Sequence, residues 1–100
     1  MDVVAKRLKK ARTLSGLSQE RLGVLAGIDE MSASARMNQY ERGKHVPDFG
    51  MVTRIAAVLD VPAAYFYAEA DEEANLLVKF HRMTKVQRAK VVAFLDDLAQ

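Results

Sequence analysis

The chain has 100 residues, no cysteine and a formal net charge of +2. That length fits one domain, the lack of cysteine excludes disulfides and thiolate zinc, and half the residues are hydrophobic, more than a disordered chain carries. No apolar run reaches membrane-spanning length and the basic N-terminus lacks a secretory core, so a cytoplasmic location is expected; His45 and His81 are too isolated to form a metal site, and no metal or cofactor is expected.

In chain order the pattern is helical throughout. Val4, Leu8 and Ala11 recur at helical spacing with charges between them, and Ser15-Gly16 ends this first helix. Ser18 can cap a second helix, with Glu20 in its first turn, an apolar face of Leu22, Leu25 and Ala26, and Gly27 as its terminator. A third helix spans about Ala33–Arg42 and stops at Gly43. Pro47 opens a fourth, about Asp48–Leu59, with Phe49, Val52, Ile55, Ala56 and Leu59 on one face. After the break at Asp60-Val61-Pro62, Ala63–Tyr67 reads as a short aromatic helix. Phe49, Tyr65, Phe66 and Tyr67 are expected in the core rather than around a ligand, with Tyr65 or Tyr67 partly exposed. Residues 69–75 are an acidic linker or a helix start. Leu76, Leu77, Phe80 and Met83 mark a sixth helix; Thr84 and Gln87 form a T-x-x-Q capping box, and Val91, Val92, Leu95, Leu98 and Ala99 carry a seventh. No alternating β pattern occurs, so the expected fold class is all-α.

The small net charge hides a strong asymmetry. Residues 1–50 carry nine Lys/Arg against six Asp/Glu, and five of those cations fall within the first twelve residues. Residues 60–75 hold five acids and no base, and residues 76–100 return to a surplus of +3. The basic N-terminal part fits either a polyanion partner or a solvated helix face. Arg7, Lys9 and Lys10 are expected to supply diffuse attraction.

The second and third helices have the spacing of a helix-turn-helix. Gln19 opens the second helix, Leu22 is placed to be buried, and Gly23 is small where the two helices must cross. Gly27 supplies the turn, Ile28 plugs the corner, and Met37 anchors the third helix ahead of Tyr40-Glu41-Arg42-Gly43. The strings RLKKARTLSGLSQERLGVLAGI and NQYERGKHVPDFGMVTRIAAVLDVPAAYFY resemble the Cro/C1-type (XRE) helix-turn-helix family of bacterial and phage regulators over roughly residues 4–67. The resemblance implies a five-helix, lambda-repressor-like DNA-binding bundle, here over residues 1–68; residues 76–100 lie outside the family's usual core and read as a C-terminal helical extension. One departure stands out. Gly27 and Glu41 are fourteen residues apart where the family has about ten, which places four extra residues at Asp29–Ser32. Four residues are about one helical turn. Either the turn is enlarged, or the recognition helix begins a turn earlier with Asp29 as its cap; Ser32 and Ser34 are alternative caps.

Projected at 100° per residue, Ser34, Ala35, Asn38, Gln39 and Arg42 share one arc of about 140°, and Ala33, Met37, Tyr40 and Glu41 share the other side. Amide side chains suit adenine edges, which they meet with a donor and an acceptor together. The resemblance implies base reading by Ser34, Ala35, Asn38 and Gln39, and a phosphate contact by Gln19; Arg42, Lys44 and His45, just after the helix, are expected to follow the DNA backbone, and Arg36 either to do the same or to reach a guanine. It also implies a structural salt bridge between Arg12 and Glu41. The implied partner is double-stranded DNA with a pseudo-palindromic operator, bound by a homodimer. The apolar residues of 76–100 exceed what a free tail carries, and dimerisation is the expected use for them. The expected function is a sequence-specific transcriptional regulator, a repressor. The alternative is an antitoxin or other protein-interaction module that keeps the fold and binds a protein partner. No nucleophile–base pair, phosphate-cradling glycine loop or metal-ligand spacing points to an enzyme.

Overall fold

Among the described residues, five of six α-helices begin at a side-chain oxygen that accepts a hydrogen bond from the first turn, which satisfies donors the helix itself leaves open. In the computed structural model, which describes residues 2–100, Asp2 caps α1 (Val3–Leu14), Ser18 caps α2 (Gln19–Leu25), and Asp29 caps α3 (Glu30–Glu41). Asp48 caps α4 (Phe49–Leu59), and Thr84 and Gln87 form a reciprocal capping box at α6 (Lys85–Leu98). The fifth, α5 in chain order (Asp71–His81), has no side-chain cap. Asp71, Glu72 and Glu73 instead set negative charge at the positive end of its dipole. The acidic run is therefore a helix start. Among the described residues there is no strand, and no helix is long and apolar enough to cross a membrane.

Ala63–Tyr67 is a 3₁₀ turn rather than an α-helix. Five residues behind Pro62 are too few to pass the α-helix nucleation cost, and what holds them is packing: the Tyr65 and Phe66 rings meet edge to face at 5.3 Å between centroids. Leu8, Leu22, Met37, Val52, Ile55 and Phe66 form the centre of one core shared by α1–α4 and this turn. Phe49 departs from expectation. It is 64% exposed, because it is the first residue of α4 and projects beyond the core that Val52 and Ile55 reach.

The crossing of α2 and α3 depends on the absence of a side chain. A Cβ built on Gly23 would lie 2.8 Å from the Cβ of Ala33 and 3.0 Å from its carbonyl oxygen. Gly27, at φ +93°, then turns the chain, with the Ile28 amide donating to the Gly23 carbonyl and the Gly27 amide to that of Val24, the Schellman arrangement.

Arg7 carries a role that its sequence context hid. It is 1% exposed, and its guanidinium donates to the carbonyls of Ala68 and Glu69, each at 2.9 Å, and to Asp71 Oδ1 at 2.7 Å. It thus fastens α1 to the start of α5, and it is not part of a diffuse cationic surface. The hydrogen bond from Arg7, and then that from Lys6, hold the Asp71 carboxyl below its ordinary value of 3.8. At the far end Arg82 donates to the carbonyls of Asp60 and Leu59 and closes α5 onto the C-terminus of α4. Helix α6 buries none of its residues, and the molecule is 52 Å long but only 26 by 22 Å across.

Two outcomes follow from this packing. Gly23→Ala is expected to destabilise the fold by about 1–3 kcal/mol through overpacking, measurable as a lowered midpoint in urea denaturation. A carboxyl whose folded pKa is depressed adds stability that is complete above its unfolded pKa and disappears as pH falls through the folded value. Thermal stability should therefore drop as pH is lowered below about 4, and Asp71→Asn should flatten that drop while lowering stability at neutral pH.

Candidate nucleic-acid interface

Glu41 closes α3 with a carboxylate that is only 4% exposed, a costly placement for an unpaired charge. The chain supplies partners from two other helices. From α1, Arg12 meets it with both arms of the guanidinium, Nε to Oε2 at 2.6 Å and a terminal nitrogen to Oε1 at 3.0 Å. The remaining nitrogen of Arg12 donates to the Leu17 carbonyl at 2.9 Å. The hydrogen bond and charge of Glu41 raise the Arg12 pKa against the opposing effect of burial. From α2, the Gln19 amide donates to Glu41 Oε1 at 3.2 Å and to Asn38 Oδ1 at 3.3 Å. One polar network therefore joins α1, α2 and α3, with Asn38 at its outer end.

In front of this network α3 displays its polar face. Ala33, Met37, Tyr40 and Glu41 are buried, Asn38 is half-buried, and Ser34, Ala35, Arg36, Gln39 and Arg42 are exposed. The Asn38 amide has its oxygen occupied by Gln19, which leaves its NH₂ to donate outward. Gln19 is half-buried, and its NH₂ is spent on α3. Past the helix, Gly43 at φ +72° reverses the chain, and the Lys44 amide donates back to the Gln39 carbonyl at 3.0 Å. This turn brings His45 beside Arg36 and Gln39 in a shallow polar depression that Tyr40, Val46 and Asp48 complete. Lys44 is exposed at the same end. Ser34 and Ala35 lie one turn away and do not reach this depression.

Of the four extra residues, Asp29 is the cap and Glu30–Ser32 are helical. Asp29 Oδ2 accepts from the Met31 amide at 3.1 Å, and α3 starts at Glu30, a full turn before the residue at which the apolar pattern begins. Met31 consequently falls at about 60° on the same projection, between Ser34 and Ala35, and is 92% exposed. Arg54 is a second residue that pattern reading passed over. Its Nε donates to the Ala26 carbonyl at 2.9 Å and pins the turn between α2 and α3 to α4. Its signal was available: it is the sole charge in the apolar run Phe49–Leu59.

A family model described as a helix-turn-helix domain matches residues 4–65. The chain belongs to the helix-turn-helix family. It is an XRE-like member, and related chains agree with its architecture. The crystal structure of transcriptional regulator BswR superposes with a TM-score of 0.87 at 45% identity, covering 93% of this chain and 92% of that one. An uncharacterized HTH-type transcriptional regulator of Sinorhizobium medicae (strain WSM419) is 31% identical over 67 residues, which are 67% of this chain and 45% of that protein. The chain thus spans less than half the length of that curated relative. The SPbeta prophage-derived HTH-type regulator YonR of Bacillus subtilis (strain 168) is 28% identical across 89% of this chain and 88% of its own.

The helix-turn-helix network makes a direct prediction. Arg12→Ala leaves the buried Glu41 carboxylate with only the Gln19 amide, and is expected to cost about 3 kcal/mol of unfolding free energy. Replacing both partners, Arg12→Met with Glu41→Leu, should recover most of that loss. A double-mutant cycle on denaturation midpoints measures the difference.

Proposed function

We propose that this protein is a sequence-specific DNA-binding transcriptional regulator, acting as a repressor, that inserts α3 into the major groove of double-stranded DNA. The observation that carries the reading is the split character of α3. One face is locked to α1 and α2 through Arg12, Glu41 and Gln19, and the opposite face offers a hydroxyl, amides and a guanidinium to solvent. Rigid backing with free hydrogen-bonding groups in front is what base-edge recognition requires.

On this reading Asn38 and Gln39 meet base edges, with Asn38 as a donor because Gln19 holds its oxygen. Ser34 and Ala35 read the adjoining step. Met31, exposed on the same arc, adds an apolar contact suited to a thymine methyl. Arg36, Arg42, Lys44 and His45 follow the phosphates around the C-terminal end of the helix, and Gln19 donates to a phosphate through its backbone amide at the start of α2. The site of action is then the cytoplasm, and no catalytic step is involved.

Residues 1–68 form the reading unit in this proposal, 69–75 start the arm, and 76–100 form a dimerisation element. Support for the last comes from α6, where Val92, Phe94, Leu95 and Leu98 are 47–67% exposed and no residue is buried. A contiguous apolar face of this kind is unusual on a monomer. Pairing two chains through α6 would set two copies of α3 on successive major grooves about 34 Å apart on a pseudo-palindromic operator.

Selection from a random duplex library tests the reading. An enriched two-fold motif is expected, and no enrichment at low salt would overturn it. Asn38→Ala should change the preferred bases. Lys44→Ala should weaken all duplexes alike and lower the salt slope by about one. Light scattering at micromolar concentration should give the mass of two chains.

A further inference from the structure

Between α1, the end of α4 and α5 lies a half-open cleft of about 350 Å³, away from the helix-turn-helix. Its apolar lining comes from Leu14, Leu59, Val61 and Val78. Its rim is cationic: Lys10 stands on one wall, and Lys79 and Arg82 on the other, with the Asn75 amide beside them. No carboxylate lines it. Lys10 and Lys79 have no ion-pair partner among the described residues, whereas Arg82 lies near Asp60 at 3.6 Å. Two lysines without an ion-pair partner, Lys10 and Lys79, thus line an apolar hollow together with the ion-paired Arg82.

Tyr65 supplies an independent pointer. The residue is 4% exposed and lines the cleft, yet its hydroxyl makes no hydrogen bond among the described residues. Among the described residues no fully enclosed polar side-chain atom lacks a partner, so this hydroxyl is not fully enclosed, and Tyr65 lines the cleft. A buried tyrosine normally satisfies its O–H. Burial raises its pKa, against the opposing charges of Arg7 and Arg82, which keeps it protonated and a donor at neutral pH.

We propose that this cleft is a binding site for a small amphipathic organic anion, whose carboxylate is held by Lys10, Lys79 and the Tyr65 hydroxyl and whose apolar body lies on Leu14, Leu59, Val61 and Val78. An apolar cleft with a few converging polar groups is the usual form of a small-molecule site, and the unpaired cations select for negative charge. A bound anion relieves the repulsion between Lys10 on α1 and Lys79 on α5 and draws the two helices together. Helix α5 also sets the direction of α6, because Arg88 of α6 donates to the carbonyls of Phe80 and His81. If α6 pairs two chains as proposed above, occupancy of the cleft changes the spacing of the two reading helices; binding itself does not rest on that reading.

The test is a titration of the full-length, ¹⁵N-labelled chain with octanoate, followed by amide shifts at Leu14, Val61, Tyr65 and Lys79. Octanol serves as the neutral isostere and inorganic phosphate as the bare anion. Octanoate should bind with a Kd on the order of 0.1 mM, given typical affinity per atom, and about tenfold more tightly than either control. Tyr65→Phe should weaken it about fivefold without moving the Tm of the free protein, and Lys79→Gln should do likewise, which keeps the test usable if the first variant folds poorly. Equal shifts with octanol and octanoate, or shifts confined to α6, would overturn the proposal. So would ligand-free shifts at the same amides that vary with protein concentration, since they would assign the cleft to a second copy. DNA binding is not a readout, so failure of the regulator reading and failure of the anion site are distinguishable.

Discussion

A carboxylate removed from water must be met by charge and hydrogen bonds, and the placement of Glu41 at the inner side of α3 imposes that demand on the whole N-terminal half. Arg12 answers from α1 with a two-armed contact, and Gln19 answers from α2. Each is stationed on a different helix, so the carboxylate fixes the orientation of α3 relative to both. The close crossing at Gly23 and Ala33 then sets the distance. Angle and distance together determine which residues of α3 face outward, and the exposed hydroxyl and amides follow from that.

Arginine has a second task in this chain. Arg7, Arg12, Arg54, Arg82 and Arg88 all donate to backbone carbonyls at helix ends or connecting segments. The last carbonyls of a helix lack intrahelical donors, and a planar fork of N–H groups satisfies them while joining the end to a neighbouring element. This use explains why α5 stays attached to the bundle with modest apolar burial of its own. It also lowers the basic charge free to meet a polyanion, leaving Arg36, Arg42 and Lys44 around the end of α3 as the focused part of it. The N-terminal surplus of +3 thus overstated the cationic surface.

Much of the fold was legible in the chain. Helix periods, glycine stops and oxygen-bearing caps act within a few residues, so α1, α2, α4 and α6 start and stop close to where the pattern places them. The small residue at Gly23 was legible too, because the helix-turn-helix spacing requires a crossing there. The polar arc of α3 was visible from its 100° projection, and the buried and exposed residues follow it. Arg7 was not legible: a buried arginine looks like an exposed one until the carbonyls of Ala68 and Glu69, some sixty residues away, are brought to it. Phe49 was misplaced for the complementary reason, since an apolar residue at helical period is core only if the helix is covered that far.

What the amino-acid order determined by itself was therefore local and periodic: an all-helical chain, its breaks, a helix-turn-helix and a polar face along α3. These depend on interactions between residues at most a few positions apart. Tertiary structure alone decided between an enlarged turn and a longer recognition helix, because both suit the same four residues and only the packing of Ala33 under Gly23 sets the register in which Asp29 can cap. It alone showed that Asp71 belongs to a helix tied to α1, and that α6 stands clear of the bundle with its apolar face open. Those outcomes depend on contacts between distant segments, whose geometry no sequence window contains.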